Sequence, residues 1–207
     1  MPEKKVKLSR LAEGREKEYT GEVLERLDLK DARLESKIFR DCVFRGCDLT
    51  GAEFRFCRFR DCRFESCNLS LVKLNASSFE GAEFRSCKLT GVNWTEAAWP
   101  KINLSGPPKF RDCVLSDCVF IGLKLAGTAM KDCLAKETDL RDADLSGADL
   151  SGTDFSGALF GGTDLRKADL SGARAYVINV GTCQVKGARF SLPEAMALLD
   201  GLGIKLE

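Results

Sequence analysis

Residues 138–173 consist of near-copies of one five-residue unit, and this period restricts the fold more than any other feature of the chain. The stretch reads TDLRDADLSGADLSGTDFSGALFGGTDLRKADLSGA. In an α-helix each five-residue step advances about 140°, so the apolar residue would wander over every face. In a flat strand an odd period would move it from one face to the other at each repeat. The period therefore predicts a chain that turns a corner every five residues and coils around its own axis.

The apolar centre of the unit recurs every fifth residue along most of the chain. From Leu24 to Leu104 every centre is Leu, Phe or Trp, and from Phe110 to Phe190 every centre is apolar. One extra residue enters between the two runs, at the break 105–109. We expect all thirty-four centres to point inward. Phe56 falls between centres, so we expect its ring to be exposed.

A second inward column lies two residues before each centre and contains mostly small residues. It includes all ten cysteines: Cys42, Cys47, Cys57, Cys62, Cys67, Cys87, Cys113, Cys118, Cys133 and Cys183. No Cys-x-x-Cys pair is present, so the spacing is not that of a zinc site. Stacked cysteines would lie near disulfide distance. A reducing cytoplasm, and the use of Ala and Thr in the same column, favour free thiols that act as small hydrophobic residues.

The charges predict a coil of twenty residues. Glu25, Arg45, Glu65 and Arg85 alternate in sign at a spacing of twenty, as stacked neighbours on successive coils would. Each stacked pair would contribute about 0.2–1 kcal/mol, and less where it is exposed. About 170 repeat residues then make roughly eight and a half coils and a rod about 40 Å long.

Composition excludes most catalytic chemistry. The chain has a net charge of +1 and no histidine, which removes Ser-His-Asp and Cys-His arrangements and all His-ligated metal sites. It also lacks a glycine-rich phosphate loop and a plausible metal-ligand set, so we expect a non-enzyme without cofactor or metal. There is no apolar run of 18 residues and no apolar signal-peptide core in the first residues, which favours a cytoplasmic protein. Residues 1–20 are highly charged and are expected to be a lead-in to the repeat.

The repeat stops after Phe190, and residues 191–207 differ in character. Ser191-Leu192-Pro193-Glu194 has the form of a capping box, so a helix is expected to extend to about Asp200 and to cover the open end of the coil. The segment is more apolar than a cap requires. We predict a cap and a dimer interface formed by Leu192, Met196, Leu198, Leu199, Leu202, Ile204 and Leu206.

Over residues 22–190 the chain resembles the pentapeptide-repeat proteins, whose unit is Ala-(Asp/Asn)-Leu-x-x. The resemblance implies an all-β solenoid: a right-handed, four-sided parallel β-helix with a C-terminal capping helix. Several features are similar to the topoisomerase-protecting branch, which includes the Qnr quinolone-resistance proteins, the microcin B17 immunity protein and the albicidin resistance protein. These features are the Cys-rich N-terminal half, the segment from Lys88 through Trp94 to Trp99-Pro100, the single mid-chain break and the C-terminal segment that begins at Arg189.

The branch resemblance implies a function and partners. Its members are head-to-head dimers whose rod has the girth of B-DNA and engages DNA gyrase or topoisomerase IV, counteracting poisons that trap the cleaved complex. We expect no direct binding to nucleic acid or membranes. Qnr proteins carry longer projecting loops than the one-residue break predicted here, which favours a microcin- or albicidin-type role. The alternative is a general interaction scaffold with an unrelated partner.

Three surfaces are candidates for contact with a partner. An acidic run could imitate DNA phosphates, or it could be the solvated surface that the repeat supplies anyway; its members are Asp139, Asp144, Asp149, Asp154, Asp164 and Asp169. Phe56 and the break residues Gly106, Pro107 and Pro108 are candidate contact residues. The arginines between Arg40 and Arg63 have acidic neighbours twenty residues away or alongside, which indicates a paired, solvated face.

Overall fold

The computed structural model describes residues 11, 17–100, 104–202 and 204, and in this part the chain forms a parallel β-solenoid of about 8 turns. The strands have two or three residues each. They are β1 (Glu18–Thr20), β2 (Val23–Glu25), β3 (Arg33–Glu35), β4 (Ile38–Arg40), β5 (Val43–Arg45), β6 (Glu53–Arg55), β7 (Arg58–Arg60), β8 (Arg63–Glu65), β9 (Glu83–Arg85), β10 (Lys109–Arg111), β11 (Met130–Lys131), β12 (Asp169–Leu170) and β13 (Arg189–Phe190). The right-handed sense of the coil remains a prediction.

Strand pairing confirms the coil length predicted from the charges. Glu25 pairs with Arg45, Arg45 with Glu65, and Glu65 with Arg85, each twenty residues on. Strands and isolated bridges follow one another around four faces in each coil. Face 1 contains β2, β5 and β8 to β13; face 2 contains the bridges from Asp28 to Arg174; face 3 contains β3 and β6; face 4 contains β1, β4 and β7.

The corners between faces explain the turn-forming residues of the repeat. Most corners carry one residue with positive φ, usually Gly, Asp or Ser, for example Asp31 (φ 54°) and Gly51 (φ 66°). These residue types adopt the left-handed conformation at low cost. The corner N–H still donates to the next coil, as from Asp31 N to Thr50 O at 2.9 Å. Each corner therefore changes the chain direction while keeping the backbone ladder intact.

The inward centres stack as aromatic columns in the N-terminal half. On face 1, the rings of Phe44, Phe64, Phe84 and Phe110 lie parallel, with centroids 4.6–5.2 Å apart. On face 4, Tyr19, Phe39, Phe59 and Phe79 form a similar column at 4.8–5.0 Å. Trp94 is buried and forms edge-on contacts with the Phe84 and Phe110 rings. Offset parallel rings at this spacing add to the burial energy of the column.

The second inward column is buried as predicted, and its small residues also hydrogen-bond between coils. All ten cysteines are buried and free. Cys47 Sγ donates to Leu24 O at 3.2 Å, and Thr138 Oγ1 donates to Leu115 O at 2.8 Å across the same 23-residue separation. Cys and Thr are interchangeable here because both are small and both donate to a carbonyl of the preceding coil. The thiols are therefore more than small hydrophobic residues.

Three predicted centres do not lie in the core. Leu104 is 87% exposed, whereas Trp99 is half-buried and still packs against the core. Ala175 and Val180 are also displaced, because the chain makes an irregular turn at Asn179, whose carbonyl accepts from Cys183 N at 2.9 Å. Tyr176 and Ile178 are buried in their place. The expectation of thirty-four inward centres is therefore wrong at these positions.

The mid-chain break inserts more residues than the one-residue shift of the five-residue period indicates. Glu83 pairs with Lys109, and Asn93 with Val119, which are separations of 26 residues where other pairs have 20. The chain leaves the ladder after Ala98, whose N–H donates to Ser77 O at 2.9 Å. It rejoins at Gly106, whose carbonyl accepts from Gly81 N at 2.9 Å. A whole five-residue unit plus one residue is inserted, so the predicted one-residue break is wrong.

The two ends also differ from expectation. β1 starts at Glu18 and pairs with β4, so the solenoid begins before the predicted boundary at residue 21. Leu11 is fully buried, and the rest of the lead-in before Lys17 lies outside the described residues. The C-terminal helix is a 3-10 helix, Glu194–Leu202. Ser191 Oγ accepts a hydrogen bond from Gly172 N of the preceding coil at 3.0 Å, whereas the predicted capping box would use it to cap the helix.

Replacing Phe64 by Ala tests the aromatic column. Phe64 is fully buried between Phe44 and Phe84, so Phe64→Ala should leave a cavity and lower the free energy of unfolding by about 3–5 kcal/mol. Urea denaturation followed by circular dichroism measures the loss. The control is Phe56→Ala, because Phe56 is 56% exposed. Equal losses in the two variants would contradict the assignment of Phe64 to the core.

Candidate functional site

The six aspartates of the acidic run all make the same local contact. In each, Oδ1 accepts the backbone N–H two residues later, at distances of 3.0–3.2 Å. Such Asx-type hydrogen bonds stabilise the turn that follows the aspartate. The residues do encircle the rod, and Asp144 and Asp149 stack on Asp164 and Asp169 as the twenty-residue coil requires. Their recurrence is therefore explained first by corner geometry.

Arginine side chains compensate most of this acidic charge. Asp139 Oδ2 lies 2.6 Å from Arg141 Nη2, and Asp164 Oδ2 lies 2.5 Å from Arg166 Nη2. Asp154 and Asp169 form ion pairs with the residues twenty positions later, Arg174 and Arg189. Among the described residues, neither Asp144 nor Asp149 forms an ion pair.

Hydrogen bonds also favour the ionised form of four of these carboxylates. They lower the pKa of four of the six carboxyls below the usual value. The largest contribution comes from the side chain of Arg141 for Asp139, Ser156 for Asp154, Arg166 for Asp164 and Ser171 for Asp169. The run is thus charged but locally paired, which makes it a weak imitation of a DNA backbone.

The loop between Ala98 and Gly106 contains the six inserted residues, and the structure describes it at residues 99–100 and 104–105, beside face 4. Trp99 Nε1 donates to Trp94 O at 2.9 Å, and Ser105 Oγ donates to Asp61 Oδ2 at 3.3 Å. Just beyond the loop, Thr128 Oγ1 donates to Pro108 O at 2.6 Å. Leu104 remains 87% exposed on the loop, which leaves an apolar side chain available for contact.

A groove of about 550 Å³ lies between this loop and the next coil. Its walls are mostly apolar, with one cation, and are formed by Trp99, Pro100, Gly106, Pro107, Gly122, Leu123 and Lys124. Two of the three predicted break residues, Gly106 and Pro107, thus lie in a concave surface. Pro108 is buried and cannot serve as a contact residue.

Two large apolar side chains are exposed at corners of the N-terminal half. Phe56 is 56% exposed, as its position between centres indicates. Leu71 is 61% exposed and was not identified from the sequence. Its position in the repeat could have identified it, since Leu71 occupies a corner where the neighbouring coils have Gly51 and Gly91.

The C-terminal segment contains an exposed apolar patch. The most exposed of its predicted interface residues are Leu192, Met196, Leu202 and Ile204. Leu198 packs against the core, and Leu199 is half-buried. Leu206 lies outside the described residues. The predicted interface therefore divides into side chains that face the coil and side chains that face solvent.

Family models match this chain in two places. A model of a pentapeptide repeat region matches residues 37–106, and a model of eight-copy pentapeptide repeats matches residues 138–174, together just over half of the sequence. The chain is a pentapeptide-repeat protein. Among curated protein sequences, none matches it at a significant level.

Solved structures of other pentapeptide-repeat proteins share the fold along most of this chain. One trypsin-treated variant of QnrB1, a plasmid-mediated fluoroquinolone resistance protein, is 24% identical, with 92% of this chain and 97% of that chain covered and a TM-score of 0.60. A second variant is 22% identical, with 99% and 96% covered and a TM-score of 0.62. HetL, involved in heterocyst differentiation regulation in the cyanobacterium Nostoc sp. strain PCC 7120, is 18% identical, with 83% and 86% covered and a TM-score of 0.58. At these identities the likeness shows the fold.

In the described part of the chain, no group of His, Cys, Asp or Glu residues is arranged to hold a metal ion. The described residues also include no helix of sufficient length and apolarity to cross a membrane. The candidate contact surfaces are the loop groove, the exposed corner residues and the C-terminal patch.

The corner residue Gly81 should control the position of the loop. Its φ is +63°, and a Cβ there would meet Asp61 Oδ1, which leaves no room for it, and would lie 2.7 Å from the Cβ of Ser105, whose hydroxyl bonds the same Asp61 carboxylate. Gly81→Ala should therefore displace the loop, and it should cost more than the about 1–2 kcal/mol expected for left-handed strain alone. Denaturation midpoints measure the cost, and tryptophan fluorescence reports the altered surroundings of Trp99.

The matched control is Gly21→Ala. Gly21 has the same φ of +63° but no atom within 4 Å of its would-be Cβ, so this variant carries the strain without the contact. Equal destabilisation of the two variants, with unchanged fluorescence of Gly81→Ala, would show that Ser105 does not pack on Gly81.

Proposed function

We propose that this protein is a non-enzymatic rod that binds bacterial DNA gyrase or a related type II topoisomerase and confers resistance or self-immunity to a topoisomerase poison. The observation that carries the proposal is the end-to-end correspondence with QnrB1, which extends over 92–99% of this chain and 96–97% of the other. QnrB1 is a plasmid-mediated fluoroquinolone resistance protein, and the coils of this chain correspond to that structure along nearly its whole length.

The charge distribution favours protein contact over imitation of DNA charge. Four of the six aspartates in the acidic run have an arginine partner, and the whole chain has a net charge of +1. A rod with this balance of positive and negative charges would have the width of DNA. It would lack the strongly negative electrostatic potential of the DNA phosphates. The mechanism that fits is docking of the rod on the enzyme and displacement of the poison from the cleaved complex.

The size of the loop bears on the class of poison. A one-residue break would favour a microcin- or albicidin-type role, whereas the insertion has six residues, with an exposed Leu104 and a groove beside it. Because the insertion is longer than the predicted break, fluoroquinolones are the first poison to test. The enzyme is cytoplasmic, so the proposal places this protein in the cytoplasm.

The C-terminal segment is proposed to cap the last coil and to join two copies head to head. Leu198 on the coil side supports the cap, and the exposed Leu192, Met196, Leu202 and Ile204 support the interface. Two copies related by a two-fold axis would bury these side chains against each other and double the length of the rod.

The alternative is an interaction scaffold with an unrelated partner. The likeness to HetL, at a TM-score of 0.58, favours it, since HetL is involved in differentiation regulation. The local pairing of the aspartates is equally compatible with such a role. Topoisomerase assays distinguish the two functions.

The first test is protection of purified DNA gyrase. With fluoroquinolone present, added protein should restore supercoiling and reduce the amount of cleaved DNA, because it would displace the drug from the cleaved complex. Supercoiling and cleavage gels give both quantities, and microcin B17 and albicidin are tested in parallel. The absence of any effect with all three poisons would contradict the proposed function. Leu104→Asp should weaken protection without changing the unfolding midpoint, since Leu104 is exposed.

The second test concerns the dimer. Met196→Asp and Leu202→Asp place a charge in the exposed apolar patch, so a wild-type dimer should become a monomer in sedimentation or light scattering. Leu104→Asp is the matched control, because Leu104 is 87% exposed at the mid-chain insertion and is not part of the C-terminal segment. Unchanged mass in the two patch variants would remove the C-terminal interface.

A further inference from the structure

Two corner residues combine backbone strain with exposed apolar surface. Phe56 has φ 54° and Leu71 has φ 58°, although bulky side chains rarely adopt the left-handed conformation. The other non-glycine residues with positive φ in the described part are Asp, Ser, Ala, Arg, Lys or Glu, so none of them is large and apolar. The fold needs only a turn at these corners, which Gly or Asp provides without strain elsewhere in the rod. A strained residue that the fold does not require is a reason to look for function.

The strain does not come from a frayed backbone. Phe56 N donates to Asn75 O at 3.0 Å, and Leu71 N donates to Thr90 O at 2.9 Å, so both corners lie fully in the ladder. Leu71 also fits its surroundings, because its Cδ2 would lie 2.7 Å from a Cβ on Gly91. The glycine of the next coil thus leaves room for the leucine side chain, which the structure holds at the surface.

Both residues flank the same face of the rod. Phe56 directly follows β6 on face 3, and Leu71 precedes Lys73, which bridges to Glu53 in β6. They therefore lie at opposite corners of face 3 on adjacent coils. A hollow of about 440 Å³ extends beside Phe56 and is lined by Glu53, Arg55, Phe56, Asn75, Ala76 and Glu96.

The polar groups between these corners are already paired with each other. Glu53 lies 3.7 Å from Arg55 and 4.0 Å from Arg33, and it accepts from Asn75 Nδ2 at 2.8 Å. The Arg55 guanidinium is 6.0 Å from the centroid of the Phe56 ring. Apolar side chains surrounded by a polar rim are the usual arrangement of a protein–protein interface. Arg33 and Arg55 balance Glu53 and Glu96, so this area has no excess of positive charge that would attract the phosphates of a nucleic acid.

We infer that face 3 between Phe56 and Leu71, the Phe56–Leu71 face, is the surface on which the partner topoisomerase docks. The two side chains enter apolar pockets of that protein, while the paired charges form the surrounding rim. The inference rests on the proposed function and adds to it a protein contact that is separate from the loop groove and from the C-terminal patch. The backbone of both corners is held in the ladder before binding, so little backbone entropy is lost when the two side chains are buried.

The double variant Phe56→Asn/Leu71→Asn tests this inference. Asn tolerates positive φ, so it removes the apolar anchors and keeps the corners. Affinity of the full chain for purified DNA gyrase should fall about thirtyfold, the loss expected for a hot spot, and the urea midpoint should stay the same or rise. Ser86→Asn is the matched control, since Ser86 (φ 51°) occupies an equivalent corner between faces 1 and 2. Phe56→Tyr keeps a ring and should retain most of the affinity.

Each outcome decides between the inference and its alternatives. If the wild-type chain binds gyrase and the double variant binds equally well, the Phe56–Leu71 face is not the docking surface, although the proposed function stands. If the wild-type chain does not bind, the proposed function fails and the inference fails with it. A lower unfolding midpoint in the double variant would show that Phe56 and Leu71 serve the fold. Conversion of a dimer to a monomer by the double variant would assign the face to a second copy of this chain.

Discussion

The backbone ladder between successive coils is the interaction on which the rest of this structure depends. Each strand has only two or three residues, so no strand could persist without the coils on either side of it. The ladder requires every coil to return to the same position after twenty residues, and each corner therefore has to turn sharply without losing its hydrogen bond. That requirement accounts for the positive-φ corner residues, for the Asp carboxylates that accept the following N–H, and for the cysteine and threonine donors that link the coils.

The fold requires particular residue types at the inward positions and at most corners. Features that distinguish this protein from other proteins with the same repeat can therefore lie only at the other positions. The aspartates are the most conspicuous polar residues, yet each is occupied by its own turn and four also have an arginine partner. The distinctive features are departures from the repeat: the inserted loop with its groove, the large apolar residues at two corners, and the apolar C-terminal segment. Function in such a rod belongs to these additions, because the repeat itself is shared by proteins with different roles.

Much of the architecture follows from spacing alone. The five-residue period, the sign alternation at Glu25, Arg45 and Glu65, and the off-centre position of Phe56 indicate the coil, its length and one exposed ring. The inserted loop was underestimated because a full five-residue unit can leave the coil without disturbing the period, so only one of the six residues is visible in the spacing. Leu71 was overlooked for a related reason, since the pattern marks its corner but not the left-handed φ that makes a leucine there unusual.

By itself, the sequence determined that the chain coils every twenty residues around a core of stacked Leu and Phe, because an apolar residue at every fifth position is compatible with little else. Only the tertiary structure decided which unit leaves the coil, which carboxylates are compensated by arginine, and which apolar side chains remain in solvent. These properties depend on contacts between coils, such as Asp154 with Arg174 and Gly81 with Ser105, and on local irregularities such as the turn at Asn179. A repeat specifies what each coil shares with its neighbours, whereas contacts between particular coils arise only once the chain is wound.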